Sequence, residues 1–198
     1  MKKEELKKAA LKFFALHGYE GTSLNQIAEE VGIKKSSIYS HYKGKDELFL
    51  EVVREAKSVE IQMKKDYFQQ NQKLNANDFL YGYLLYIKEM FQQNQSLKFW
   101  LRMGFFPPAH LYALVQEEVM EVELFQEKSL EKMFLHWMEQ GNIIGENEKT
   151  ATIAYNGIVM AMMVELAYFE QTNRVEEKLM ALWTVFWRGI SGTEAKNN

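Results

Sequence analysis

Between Lys34 and Lys45 the chain reads KKSSIYSHYKGK: four lysines, three serines, two tyrosines and a histidine, with no acid among them. Ammonium groups and short hydroxyls at that density suit phosphate oxygens and the edges of nucleic-acid bases. The stretch holds four of the 24 lysines and arginines and none of the 27 acids, so it carries +4 and leaves the remainder at −7. The overall −3 argues, as an average, against a nucleic-acid binder. A basic spot on an acidic body nevertheless gives the charge a direction.

Other chemistries find little support. The four histidines, His17, His41, His110 and His136, include no pair four residues apart and no Glu-x-x-His. Gly-x-Ser-x-Gly and phosphate-loop patterns are absent, and His136 with Glu139, one helical turn apart, is a common chance pairing. No catalytic residues, metal ligands or cofactor are therefore expected. Cysteine is absent, which removes disulfides, thiolate nucleophiles and cysteine metal sites and fits a reducing compartment. Met1-Lys2-Lys3-Glu4-Glu5 leads into no apolar stretch, so no secretory signal is expected and the cytoplasm is the predicted location. Ile153 to Phe169 is strongly apolar but carries Asn156, Gly157 and Glu165, which favours a buried helix over a membrane span.

The elements that must position the basic window are helical. Apolar spacing follows the helical period nearly everywhere, and alternating runs joined by Asn-Gly or Asp-Gly turns are missing, so the chain is predicted to be all-α with about nine helices. Helix 1 is predicted over about Lys3–Leu16, with Leu6, Ala9, Ala10, Phe13 and Leu16 on one face. Ser23 and Gln26 form a capping box for a short second helix that stops at Gly32. The third is predicted from Lys35 to His41, and the fourth from Asp46-Glu47, acids at its positive end, to the mid-60s. The polar segment 69–77 connects to a fifth helix through Phe79, Tyr83, Ile87 and Phe91, and the packing is expected to change just before it. A sixth covers Leu97–Gly104 and is stopped by Pro107-Pro108. The last three are predicted over His110–Gln140, Glu148–Glu170 and Val175–Ile190.

Two short helices joined at Gly32, the second basic and acid-free, have the layout of a helix-turn-helix, whose second helix enters the DNA major groove. Lys35, Ser36, Ser37, Tyr39 and Ser40 can approach base edges, while Ile38 and Tyr42, four apart, anchor the inner face. Lys34 belongs to the same basic surface. Lys45 at the start of the fourth helix, and Thr22 and Ser23 at the second, are placed to hold phosphate.

These residues are familiar. GTSLNQIA at 21–28, Val31-Gly32-Ile33, and SIYSHYKGKDEL at 37–48 closely resemble the N-terminal DNA-binding domain of the TetR family of bacterial transcriptional repressors. The resemblance covers the first quarter of the chain. It implies that Lys35, Ser36 and Ser37 face bases, that Tyr39 and His41 contact backbone or base edges, and that Lys45, Thr22 and Ser23 hold phosphates. His41 can equally serve as a partial cation at the end of its helix. Lys34 stands where the family often has a capping Ser, and Gly44 where Ser or Asn is common, so both helix starts should be less well capped. Leu24 replaces an arginine that reads bases in some relatives, leaving base reading to the third helix. The implied division is a DNA-binding domain at 1–48 and a ligand-binding, dimerising helical domain at 49–198, linked by the fourth helix.

The remainder gives its own reasons for both tasks. Aromatic and thioether side chains at Tyr83, Trp100, Met103, Phe106, Phe134, Trp137, Met160 and Met163 suit a bulky apolar effector, although such stripes also build ordinary cores. Ala154, Gly157 and Ala161 form a small-residue face that allows close helix approach, and Leu179, Leu182, Trp183 and Phe186 supply apolar surface on the final helix. Two such helices per chain could form a four-helix homodimer interface, matching a palindromic operator with half-sites about 34 Å apart. Glu165 either pairs with a cationic ligand, lies on an exposed helix edge, or forms a salt bridge with Arg188 or Lys178 as partner. The expected function is a homodimeric repressor released from double-stranded DNA by a small molecule. An activator or a regulator controlled by a protein partner is the alternative, followed by a helical enzyme or carrier.

Overall fold

The computed structural model describes residues 2–168 and 172–192. Among them are nine α-helices and one 3-10 turn, and no strand. The helices are α1 (Lys2–His17), α2 (Leu24–Val31), α3 (Lys35–Ile38), α4 (Lys45–Gln70), α5 (Ala76–Gln93), α6 (Gln95–Phe105), α7 (Tyr112–Glu139), α8 (Glu148–Tyr168) and α9 (Thr172–Ile190), with the 3-10 turn Ala109–Leu111 before α7. The all-α expectation and the helix count agree with this. The predicted third helix is too long: both His41 and Tyr42 donate backbone N–H to the Ile38 carbonyl at 2.9 Å, closing the chain into a turn after one helical turn. The predicted end of α8 at Glu170 lies outside the described residues. Pro107-Pro108 bounds α6 as anticipated, because a proline disfavours helical geometry at the residue before it.

Residues group into two compact units, one of residues up to Gln62 with Gln93–Val122, the other of Met63–Gln92 with Glu123 onward. The packing therefore changes inside α4 rather than just before α5. A 26-residue helix is about 39 Å long, enough to serve two cores in succession.

The first unit is centred on Leu6, Ala10, Phe14, Ile27, Ile38, Leu48 and Phe49, all fully buried. Phe49 meets Phe14 edge-on at 5.1 Å and Phe99 at 5.9 Å, so α1, α4 and α6 share one aromatic junction. Asn94 caps α6 by accepting from the amides of Ser96 and Leu97.

In the second unit Phe79, Tyr83, Phe134 and Tyr155 are fully buried. Their polar ends are satisfied internally. Tyr155 donates to the Leu80 carbonyl at 2.6 Å, and Tyr83 donates to Gln126, which in turn donates to Asn156. The α8 helix is long and apolar enough to cross a membrane by length and composition, yet 44% of that window is buried against the protein itself. Glu165, only 2% exposed, is held by Lys178 at 2.7 Å and Arg174 at 3.2 Å, pinning α8 to α9. Of the two partners anticipated for Glu165, Lys178 is the one found.

Candidate nucleic-acid interface

The local sequence builds the helix-turn-helix through its caps. Ser23 accepts from the amide of Gln26, whose side chain accepts in return from the Ser23 amide at 2.8 Å, so the capping box forms as predicted. Gly32 stands at φ +69°, in the left-handed region, and ends α2. Its amide donates to Glu29 at 3.0 Å and that of Ile33 to Ala28 at 2.9 Å, the two bonds of a Schellman stop. Lys34 gives α3 no side-chain cap, again as the sequence suggested. At α4 the Glu47 carboxylate reaches back to accept from the backbone amide of Lys43, while Gly44 offers no side chain to the first-turn amides.

The resulting face is sorted by burial. Ile38 is fully buried and Tyr42 nearly so, while Lys34, Lys35, Ser36, Ser37, Ser40, His41 and Lys43 are exposed and Tyr39 is 53% exposed. Ser40 donates to the Ser37 carbonyl at 2.7 Å, which fixes the turn. Burial pushes the Tyr42 hydroxyl up to about 12, with Glu51 adding to it, and the ring takes the ammonium of Lys3 over its face at 5.5 Å. The surface left outside carries positive charge, hydroxyls and one tyrosine ring. That is a set for phosphate and base edges.

Three phosphate-holding residues expected from the sequence have other engagements. Thr22 is 2% exposed and its hydroxyl donates to the Gly18 carbonyl at 2.8 Å, so it is a loop-forming residue rather than a free donor, a correction to the sequence reading. Ser23 is exposed, but its hydroxyl serves the capping box. The Lys45 ammonium turns inward to the carbonyls of Tyr19 at 2.9 Å and Thr22 at 3.1 Å and lies 3.9 Å from the Tyr19 ring centroid.

Sequence reasoning missed the group that supports this loop. Tyr19 donates through its hydroxyl to Asp46, and Nε2 of His110 lies 3.4 Å from the other carboxylate oxygen of Asp46. The Tyr19 bond holds the Asp46 carboxyl below its usual range, while burial and Asp46 together push the Tyr19 hydroxyl up. Tyr19 and His110 are far apart in sequence, and no local pattern announces their contact.

The residues predicted to line an effector site divide between the two units. Trp100 and Met103 are buried in the first, and Phe106 is half exposed. Phe134 and Trp137 do come together in the second, where Trp137 meets Phe79 at 5.4 Å and Phe134 at 5.7 Å, with Tyr155 6.1 Å from Phe134, whereas Tyr83 meets Tyr67 at 5.1 Å and Phe68 at 5.2 Å. Tyr83 and Phe134 are fully buried, so solvent reaches neither. Met163 is buried and Met160 is 47% exposed on the outer side of α8.

The predicted dimer residues divide in the same way. Ala154 and Gly157 are exposed and Ala161 is half-buried. Together with exposed Ile153, Met160 and Tyr168 they make an outward apolar face on α8. On α9, Leu179 and Trp183 are buried within their own chain, a correction for those two residues, while Leu182 and Phe186 are half-buried. The exposed apolar residues there are Met180, Ala181 and Val185.

Comparison with known proteins fits this geometry. The model for bacterial regulatory proteins of the tetR family matches residues 6–52. The HTH-type transcriptional regulator LmrA of Bacillus subtilis is 46% identical over 56 residues, 28% of this chain and 30% of that one, so the match spans less than a third of that relative. Similarity to the uncharacterized HTH-type transcriptional regulator YxaF of the same organism is longer, 30% identity over 178 residues, 86% of this chain and 87% of YxaF. Among solved structures, FadR from Bacillus subtilis in complex with stearoyl-CoA shares the fold with a TM-score of 0.66 and 14% identity, covering 94% of this chain and 98% of that one.

Proposed function

From the premise that the chain belongs to the TetR family of bacterial transcriptional regulators, we propose that it is a homodimeric, DNA-binding repressor released from a palindromic operator by a small, largely apolar or aromatic effector. Residues 1–48 are its DNA-binding domain, residues 49–198 its effector and dimerisation domain, and the cytoplasm its location. The observation that carries this reading is the acid-free surface from Lys34 to Lys43, outward on every residue except the two that anchor it, Ile38 and Tyr42.

The mechanism follows from that face. Lys35, Ser36 and Ser37 meet base edges in the major groove, and Tyr39, Ser40, His41 and Lys34 contact the backbone or the flanking edges. Lys45 acts one step back, holding the loop that carries Ser23. The outward apolar faces of α8 and α9 pair across a two-fold axis, so two recognition surfaces meet successive major grooves about 34 Å apart. The effector binds the DNA-incompetent state more tightly, and a coupling of ~1 to 3 kcal/mol gives roughly 5- to 150-fold release. The bound stearoyl-CoA of the FadR structure supports a ligand of largely apolar character. Because Phe134 and Trp137 are packed on one another, an effector reaching them has to displace aromatic contacts.

Operator titration across salt tests the reading. A dimer neutralising about 6 to 10 phosphates loses about 10³- to 10⁵-fold in affinity between 50 and 200 mM salt. A flat profile contradicts it.

A further inference from the structure

The second unit carries an open groove of ≈ 300 Å³ on its surface, between the end of α4 and the middle of α7. Its floor is Phe68, Phe125 and Met133, all half-buried. Lys65 and Lys132 stand at its edge with Gln69 and Gln72, and none of the lining residues is acidic. The Lys65 ammonium lies over the Phe125 ring at 5.7 Å. Among the described residues no carboxylate lies within 4 Å of either lysine. Most other lysines of the long helices are committed: Lys57 to Glu118 and Glu121, Lys88 to Glu176, Lys178 to Glu165.

We infer that this groove is a binding site for a small amphiphilic anion, its apolar body on Phe68, Phe125 and Met133 and its negative head between Lys65 and Lys132. The charge argument is one of complementarity. Two uncompensated cations and two carboxamides offer donors to an anion, and no acid opposes it. An apolar floor beside them excludes a bare inorganic ion as the best occupant, since the aromatic surface would stay wet. The volume is at the low end of ~300–1,000 Å³ for ligand sites, which limits the occupant to a short chain or a single ring. The groove adjoins the aromatic cluster through Phe68, whose ring lies 5.4 Å from Phe79 and 5.2 Å from Tyr83, but it opens at the surface where that cluster is closed, and the inference does not rest on the DNA-binding reading, because occupancy can be measured on the protein alone.

The probe is octanoate, followed through the methyl resonances of methionines in the full chain, with Met133 assigned through Met133→Leu. Octanoate is expected to shift the Met133 methyl saturably, with octanol binding much more weakly. Replacing both Lys65 and Lys132 by Gln, exposed positions whose change leaves the fold intact, should weaken octanoate about tenfold and leave octanol unchanged. Equal binding of octanol and octanoate, an unchanged affinity in the double variant, or a Met133 methyl that does not move overturns the inference.

Discussion

The ammonium of Lys45, the first residue of α4, donates to the backbone carbonyl of Thr22 at 3.1 Å, just before the cap of α2. It also reaches the carbonyl of Tyr19 and packs on that residue's ring, so one cation closes the α1–α2 loop from three directions. Lys45→Met should therefore cost about 1–2 kcal/mol, read as a lower urea midpoint at unchanged slope. An unchanged midpoint would show that the ammonium contributes nothing to the loop.

Lys35→Ala should behave in the opposite way. The side chain is exposed and makes no internal bond, so stability is expected to stay within about 0.5 kcal/mol. Operator affinity should fall by about 1–3 kcal/mol for each hydrogen bond to a base edge that the substitution removes, with relaxed preference at the matching base pair. Fluorescence anisotropy on operator variants separates this from a uniform loss, which would assign Lys35 to the phosphates instead.

Gly32→Ala tests the joint between α2 and α3. A Cβ there meets nothing within 4 Å, so the cost is conformational: φ is +69° and the left-handed region disfavours a side chain. A loss of about 1 kcal/mol in chemical unfolding is expected.

Acid should weaken the first unit through Asp46. The Tyr19 hydroxyl favours the ionised carboxylate, so the folded pKa lies below the unfolded value of about 3.9. The unfolded state then binds the proton first. The stabilisation is complete above the unfolded pKa and disappears as pH falls through the folded one. Asp46→Asn should flatten the pH dependence of stability below about pH 5 and leave it unchanged near neutrality. An undiminished acid slope in that variant would place the effect elsewhere.

Gly157→Glu addresses dimerisation. Nothing lies within 4 Å of an added Cβ in the protomer, so the protomer should fold normally. A charge on the outward face of α8 should shift the assembly to monomer in sedimentation, as should Val185→Glu on α9, whose side chain is 74% exposed. A variant that remains dimeric would move the interface away from these helices.

Much of this architecture is legible in the sequence because it is locally encoded. The Ser23–Gln26 box, the Gly32 stop and the uncapped Lys34 each depend on residues within four positions, and each is present in the fold. The length of α3 is not legible, because the turn at Tyr39–His41 depends on how Ile38 and Tyr42 are buried rather than on periodicity. Thr22 misleads for the same reason: its hydroxyl looks free in the sequence, and the Gly18 carbonyl claims it only in the folded loop. On α9 the apolar residues run so far round the helix that sequence alone does not say which of Leu179, Trp183, Met180 and Val185 turn inward. The Tyr19–Asp46–His110 group is long-range and leaves no local signal.

The central claim, a sequence-specific dimer reading DNA through the Lys34–Lys43 surface, is tested most directly by selecting bound sites from a random DNA pool at about 0.1 M salt, where nonspecific phosphate binding is already weakened. The account predicts a palindrome with half-sites about one helical turn apart, whose preference relaxes at one base pair of each half-site on replacing Lys35 by Ala. Folded, dimeric protein that enriches no sequence would contradict it.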